Sequence, residues 1–226
     1  MKRAIFCVLL PFLLIVGIMA QNSHGADRLQ CVDSAEPNSA RETAQLHQSP
    51  HGAKRLSRHQ LEVAWTGGKA IFKDTPPYNE PLDGLRWVYC GYSPTLKLHL
   101  IGKRDGDLFT GTLLDDRTGL RLPGGDPVLF SPDRQYYLAY EQPDGLDGEA
   151  LTLYKRTGTV VWKGYNGILS RDGKSVVVNS EDMCDMRWDS ENRPQATVHL
   201  DGGKKLIVTL TQTSNGKREW LPHVQK

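Results

Sequence analysis

Helical periodicity, paired cysteine motifs and an excess of either charge are all missing from this sequence. Past residue 60 none of its 226 residues belongs to a sustained 3.6-residue apolar repeat, so a helical bundle is excluded. Its four cysteines form no CxxC. That removes the spacing of a dithiol redox centre or a thiolate zinc site. Lys and Arg number 28 against 26 Asp and Glu, a balance that leaves no basic footprint for nucleic acid. Beyond residue 19 there is no apolar run of the ~20 residues a membrane helix needs.

The first twenty residues are different. Met1-Lys2-Arg3 is basic, Ile5 to Met19 is almost wholly apolar, and Ala20 is small. This is the pattern of a secretory signal peptide over 1–20, and it implies a periplasmic or secreted location. Cleavage leaves no transmembrane segment and an equal number of acidic and basic residues, 26 of each. Cys7 leaves with the signal, and Cys31, Cys90 and Cys184 remain. Three cysteines in an oxidising compartment predict one disulfide and one free thiol, with three pairings open. Cys31–Cys90 is favoured because it ties a polar arm onto a strand. Such a loop contributes about 3–4 kcal/mol in the chain-entropy model.

Residues 21–58 form that polar arm. Ser39-Ala40-Arg41-Glu42 has capping-box spacing, so the arm holds a short helix to about Gln48 or stays extended. The remainder, 59–226, reads as a single all-β domain. Leu61, Val63 and Trp65 alternate along a strand, Thr66-Gly67-Gly68 turns, and Lys69 to Phe72 returns. Leu96 to Leu100 alternates as cleanly. Val160-Val161-Trp162, Val176 to Val178 and Leu206 to Val208 are short apolar runs of buried strands.

A period runs through this domain. Ser93-Pro94, Ser131-Pro132 and Ser170-Arg171 each precede a strand, at offsets of 38 and 39 residues. Asp105-Gly106 recurs as Asp144-Gly145, and Arg117-Thr118-Gly119 as Arg156-Thr157-Gly158, both at 39. Strands and turns repeating near forty residues are the mark of propeller blades, whose faces are buried by stacking. Phe130-Ser131-Pro132-Asp133-Arg134 and Leu138-Ala139-Tyr140 resemble the repeat of WD and TolB-like propellers, with Arg134 where that pattern has glycine. Leu169 to Lys174 is a second, weaker copy. The resemblance covers about 92–210 and implies a propeller-like array of antiparallel sheets, with units near 61–91, 92–129, 130–168 and 169–210. A β-sandwich is the alternative. Neither implies an activity.

Catalytic patterns are thin. Gly91-Tyr92-Ser93-Pro94-Thr95 misses the last glycine of a nucleophile elbow, and a strand rather than a helix follows. His47, His51 and His59 read as solvated side chains, and His99 and His199 as polar-facing strand positions. Glu181, Asp182, Asp185, Asp189 and Glu191 crowd one loop around Cys184. Their spacing lacks the central glycine of a calcium loop. No metal or other cofactor is expected, and Asp182, Asp185 and Asp189 are the residues that would hold one. Aromatics are dense between Tyr136 and Tyr165. Since Tyr136 and Tyr137 are adjacent on a strand, one of them should face outward. Tyr136, Tyr137, Tyr165 and Trp188 are therefore the candidate binding residues.

These readings converge on an exported, non-enzymatic envelope protein that binds a protein or a cell-wall component. An inhibitor or immunity protein is one version of it. The alternative is a periplasmic hydrolase using carboxylates of the 181–191 loop. Export predicts a secreted chain that begins near Gln21, which mass spectrometry of the envelope fraction would detect. An intact Met1 there would overturn it.

Overall fold

The computed structural model describes residues 27–31, 37–79, 83–142, 150–165, 168–171, 174–177, 183–200 and 203–222. The expected signal peptide, residues 1–20, lies outside them. Four sheets follow one another along the chain. The first joins β2 (Ala53–Ser57), β3 (Gln60–Trp65) and β4 (Gly68–Lys73). The second is the meander β5 (Leu85–Ser93), β6 (Leu98–Asp105), β7 (Leu108–Asp115) and β8 (Arg121–Gly124). In the third, β9 (Val128–Phe130), β10 (Tyr136–Glu141), β11 (Ala150–Lys155) and β12 (Val160–Tyr165) repeat that meander, and the short β1 (Arg28–Leu29) adds to its β9 edge. The fold is thus an all-β array of sheets, none closed into a barrel.

Three hydrophobic clusters lie between the four sheets, so each sheet stacks on the next. Leu61, Val63 and Phe72 of the first meet Tyr89, Ile101 and Leu114 of the second. Val88, Leu98, Leu100 and Leu113 on the second sheet's other face meet Val128, Phe130 and Tyr137 of the third. Leu129, Leu138, Leu151 and Leu153, again on the opposite face, meet Val198, Val208 and Trp220 of the fourth. Side chains alternate along each strand, so neighbours such as Leu129 and Phe130 enter different cores. The middle sheets are consequently buried on both faces.

The offset of 39 residues has a structural counterpart. Ser131 directly follows β9; its hydroxyl donates to Asp133 (2.6 Å) and accepts the Tyr136 amide (3.0 Å). Ser93 ends β5, and its hydroxyl accepts the Leu96 amide at 3.2 Å. Each turn places one residue at positive φ, Lys97 and Arg134, both at 57°. The later turns match too. Gly119 (φ 71°) lies against the Trp65 indole of the sheet before it, and a Cβ there would meet the ring at 2.4 Å. Gly158 (φ 85°) lies against Leu122 and Pro123, again of the sheet before it. Glycine is required at both by the backbone angle and the close approach.

The fourth unit departs from expectation. Its strands are β13 (Ile168–Arg171), β14 (Lys174–Val177), β15 (Met183–Trp188), β16 (Pro194–Leu200), β17 (Lys204–Gln212) and β18 (Arg218–Pro222). The order is β14-β13-β18-β17-β16-β15. A repeat over 169–210 would have paired β14 with β15. Instead β15 to β18 form the meander, and the β13–β14 hairpin joins its far edge through a parallel pairing of Leu169 with Trp220. Gly203 therefore lies between β16 and β17, inside the meander.

The polar arm is integrated into the fold. Helix α1 (Ala40–His47) starts at Ser39, whose hydroxyl accepts the Glu42 amide at 3.1 Å. Glu42 completes a variant of the capping box, accepting the Asn38 amide at 2.6 Å. The same carboxylate is buried and accepts Nε and Nη2 of Arg55 on β2 (3.0 and 2.6 Å) and the Tyr89 amide on β5 (2.8 Å). Cys31 bonds Cys90 in the disulfide, fastening β1 beside β5, and Cys184 is a free thiol.

Two substitutions probe this frame. Phe130→Ala empties a fully buried site and should cost about 3–5 kcal/mol. Glu42→Ala strands Arg55 and should cost about 3–5 kcal/mol. Urea midpoints at unchanged slope measure both. A near-neutral Phe130→Ala would refute the stacked core.

Candidate functional site

The two-faced burial of the third sheet decides the fate of the aromatic candidates. Tyr136 and Tyr137 point to opposite faces, as their adjacency requires, but both faces are covered. Tyr137 is fully buried, stacks on Tyr154 at 5.0 Å and donates its hydroxyl to the Pro123 carbonyl at 2.9 Å. Tyr136 is half-buried against the core shared with the fourth sheet. Trp188 is buried in the same core and donates to the Leu129 carbonyl at 3.3 Å. Tyr137 and Trp188 are thus core residues and offer no surface to a partner. Tyr165 ends β12, and its side chain lies outside the described residues.

The acidic loop is similarly committed. Asp182 lies outside the described residues. Asp185 is an exposed residue of a bulge in β15, at φ 51°. Asp189 closes a turn, accepting the Glu191 and Arg193 amides (both 2.9 Å) and the Arg193 guanidinium (2.8 Å). Among the described residues no cluster of three His, Cys, Asp or Glu side chains has metal-site geometry. Ser93 belongs to the turn already described.

The structure instead gathers a polar cluster that strand alternation alone did not reveal. His99 on β6 is completely buried. Its Nε2 lies 3.1 Å from Asp116 Oδ1 and its Nδ1 2.9 Å from the Tyr89 hydroxyl. Donation from Nε2 to the carboxylate leaves Nδ1 to accept from Tyr89. Tyr92 donates to the other Asp116 oxygen at 3.2 Å, and His51, partly exposed, approaches that oxygen at 3.3 Å. Burial holds His99 below its usual range; Asp116 opposes the shift, and His51 adds to it. Burial raises Tyr89 and Tyr92. Both ring nitrogens of His99 are occupied, so the cluster joins strands of the second sheet to the Asp116 turn and presents no base to a substrate. His59 is engaged elsewhere, stacked on Tyr78 at 3.8 Å and 3.4 Å from Asp74.

A surface cavity of about 530 Å³ lies between the third and fourth sheets. Val161 and Trp162 of β12 form one wall, and Gln212, Gly216, Lys217 and Arg218 of the β17–β18 hairpin form the other. The Trp162 indole N–H donates to the Arg218 carbonyl at 3.0 Å, and the ring meets Trp220 edge-on at 6.3 Å. Gly164 allows the ring to lie close over the strand, since a Cβ there would come within 2.3 Å of it. Gln212 donates to the Gly216 carbonyl at 3.4 Å. Among the described residues neither Lys217 nor Arg218 has an ion-pair partner. The volume falls within the range of ligand pockets, which is roughly 300–1,000 Å³. Trp162 was visible as one of the dense aromatics; its cationic neighbours, more than fifty residues away in sequence, carried no signal.

No family model, curated protein or solved structure matches this chain.

His99 sets a pH dependence. The unfolded chain binds the histidine proton near pH 6.5, and the buried ring binds it only at lower pH. Its stabilising contribution is therefore present above about pH 6.5 and lost as pH falls below it. Unfolding free energies between about pH 7 and 5 should decline for the wild type and less steeply for His99→Gln. Equal slopes would remove His99 as the cause.

Proposed function

We propose that the chain is an exported, non-enzymatic envelope protein that binds another protein or a cell-wall component. The cavity between β12 and the β17–β18 hairpin carries this reading: an aromatic residue and two cationic residues, without ion-pair partners among the described residues, line space open to a ligand. The Cys31–Cys90 disulfide fits an oxidising compartment. The kinship of the repeated meanders with WD and TolB-like blades belongs to the same proposal, and it is the stacking of the sheets that supports it.

The hydrolase alternative needs two carboxyl groups facing one reacting bond. Asp189 is held by its turn and by Arg193. Glu141, raised by burial against the opposing charge of Lys163, lies on a different sheet from Asp185. His99 is enclosed. These observations favour binding over hydrolysis.

Co-sedimentation of residues 21–226 with purified cell-wall sacculi, and size-exclusion chromatography with fractionated envelope proteins, test the proposal. Retention on the wall or a complex of defined stoichiometry is expected. Failure of both, with hydrolysis of a wall or peptide substrate lost in Asp185→Asn/Asp189→Asn, would replace it with the enzyme.

A further inference from the structure

The Trp162 cavity has a chemistry that narrows the ligand. We infer that it binds an acidic glycan, a polysaccharide whose sugars carry carboxylates; this rests on the binding-module reading and deepens it. Among the described residues Trp162 is the cavity's one aromatic ring, and its polar edge is already turned to the Arg218 carbonyl. What it can offer a ligand is apolar ring surface, which suits the C–H face of a pyranose. Gln212 supplies an amide for hydroxyl groups. The Lys217 ammonium and Arg218 guanidinium meet a carboxylate, and Arg can do so through two parallel hydrogen bonds.

Charge complementarity sets the sign of the ligand. Among the described residues the cavity lining holds two cations and no acidic side chain. The polar wall argues against an acidic protein. Protein interfaces centre on a desolvated apolar or aromatic anchor seated in a closed pocket, whereas among the described residues the apolar wall here is Val161 with Trp162 alone. The hairpin is also braced to keep its shape. The Thr213 hydroxyl bonds the Asn215 side chain at 2.5 Å and the Lys217 carbonyl at 2.9 Å, and Asn215 accepts the Lys217 amide at 3.0 Å. Lys217 and Arg218 are therefore presented from an ordered turn, which lowers the entropic cost of binding.

The test uses residues 21–226 with three immobilised probes: polygalacturonate, uncharged dextran and poly-glutamate. Wild type should bind polygalacturonate above the other two, and less strongly as salt screens the charges. Lys217→Glu/Arg218→Glu, on the hairpin surface, should weaken that binding about tenfold or more. Trp162→Phe should weaken it with the urea midpoint retained; if it unfolds the protein, the charge-reversal pair decides alone. Equal binding to poly-glutamate, or an unaffected double variant, would overturn the glycan assignment. Retention on cell-wall sacculi without polygalacturonate binding would overturn this inference and leave the binding-module reading standing. Loss of both would remove both.

Discussion

A carboxylate sealed between two sheets and a helix holds the N-terminal half of this molecule in register. Glu42 accepts four hydrogen bonds: from Asn38 at the start of its own helix, twice from Arg55 on β2, and from Tyr89 on β5. An ion pair in such a place adds little net stability, because desolvation offsets its attraction. Its value is positional. β5 is an edge strand, and its outward backbone groups would otherwise be open to pairing with another chain. Glu42 takes the Tyr89 amide, Asp74 takes the Trp87 amide at 2.9 Å, and Arg55 takes the Trp87 carbonyl at 2.5 Å. Side chains thus cover the edge of the second sheet and at the same time join it to the first.

From that junction the architecture propagates by contact between neighbours. Each of the inner sheets contributes to two cores. Each junction between the first three sheets also contains a glycine turn lying beneath a side chain of the preceding sheet: Trp65 over Gly119, Leu122 and Pro123 over Gly158. Stability in such an array is approximately a sum of sheet terms and nearest-neighbour interface terms. The cavity at Trp162 sits at the last of these interfaces, between β12 and the β17–β18 hairpin.

What could be read from the sequence was what short-range chemistry dictates. Ser131-Pro132-Asp133 announced its turn because its side chains bond its own backbone, and Ser39 with Glu42 announced a helix start for the same reason. Cysteine count left three pairings open, and Cys31–Cys90 was favoured because it ties the polar arm onto a strand. Long-range geometry was opaque. Tyr136 and Tyr137 were expected to place one ring in solvent because an antiparallel sheet often has a wet face, and this sheet has none. Glu42 read only as the end of a capping box; nothing local says that Arg55 and Tyr89 will enclose it. The fourth sheet misled because a parallel contact between β13 and β18 depends on a strand fifty residues later. The Trp162 cavity depends on another distant approach, of β12 to the β17–β18 hairpin.

The short strand β1 carries a consequence for the order of assembly. Its partner β9 lies some hundred residues downstream, where Arg28 faces Leu129. A chain emerging N-terminus first presents Cys31 long before Val128 to Phe130 exist to hold it. Cys90 emerges before β9 as well, so the thiols can meet while their neighbourhood is unfinished. Asp126, whose carboxylate takes the Cys31 amide at 2.8 Å, arrives later still than Cys90. Strand β1, made early, is therefore among the last to be locked, and the disulfide can tether it until its strand partner appears.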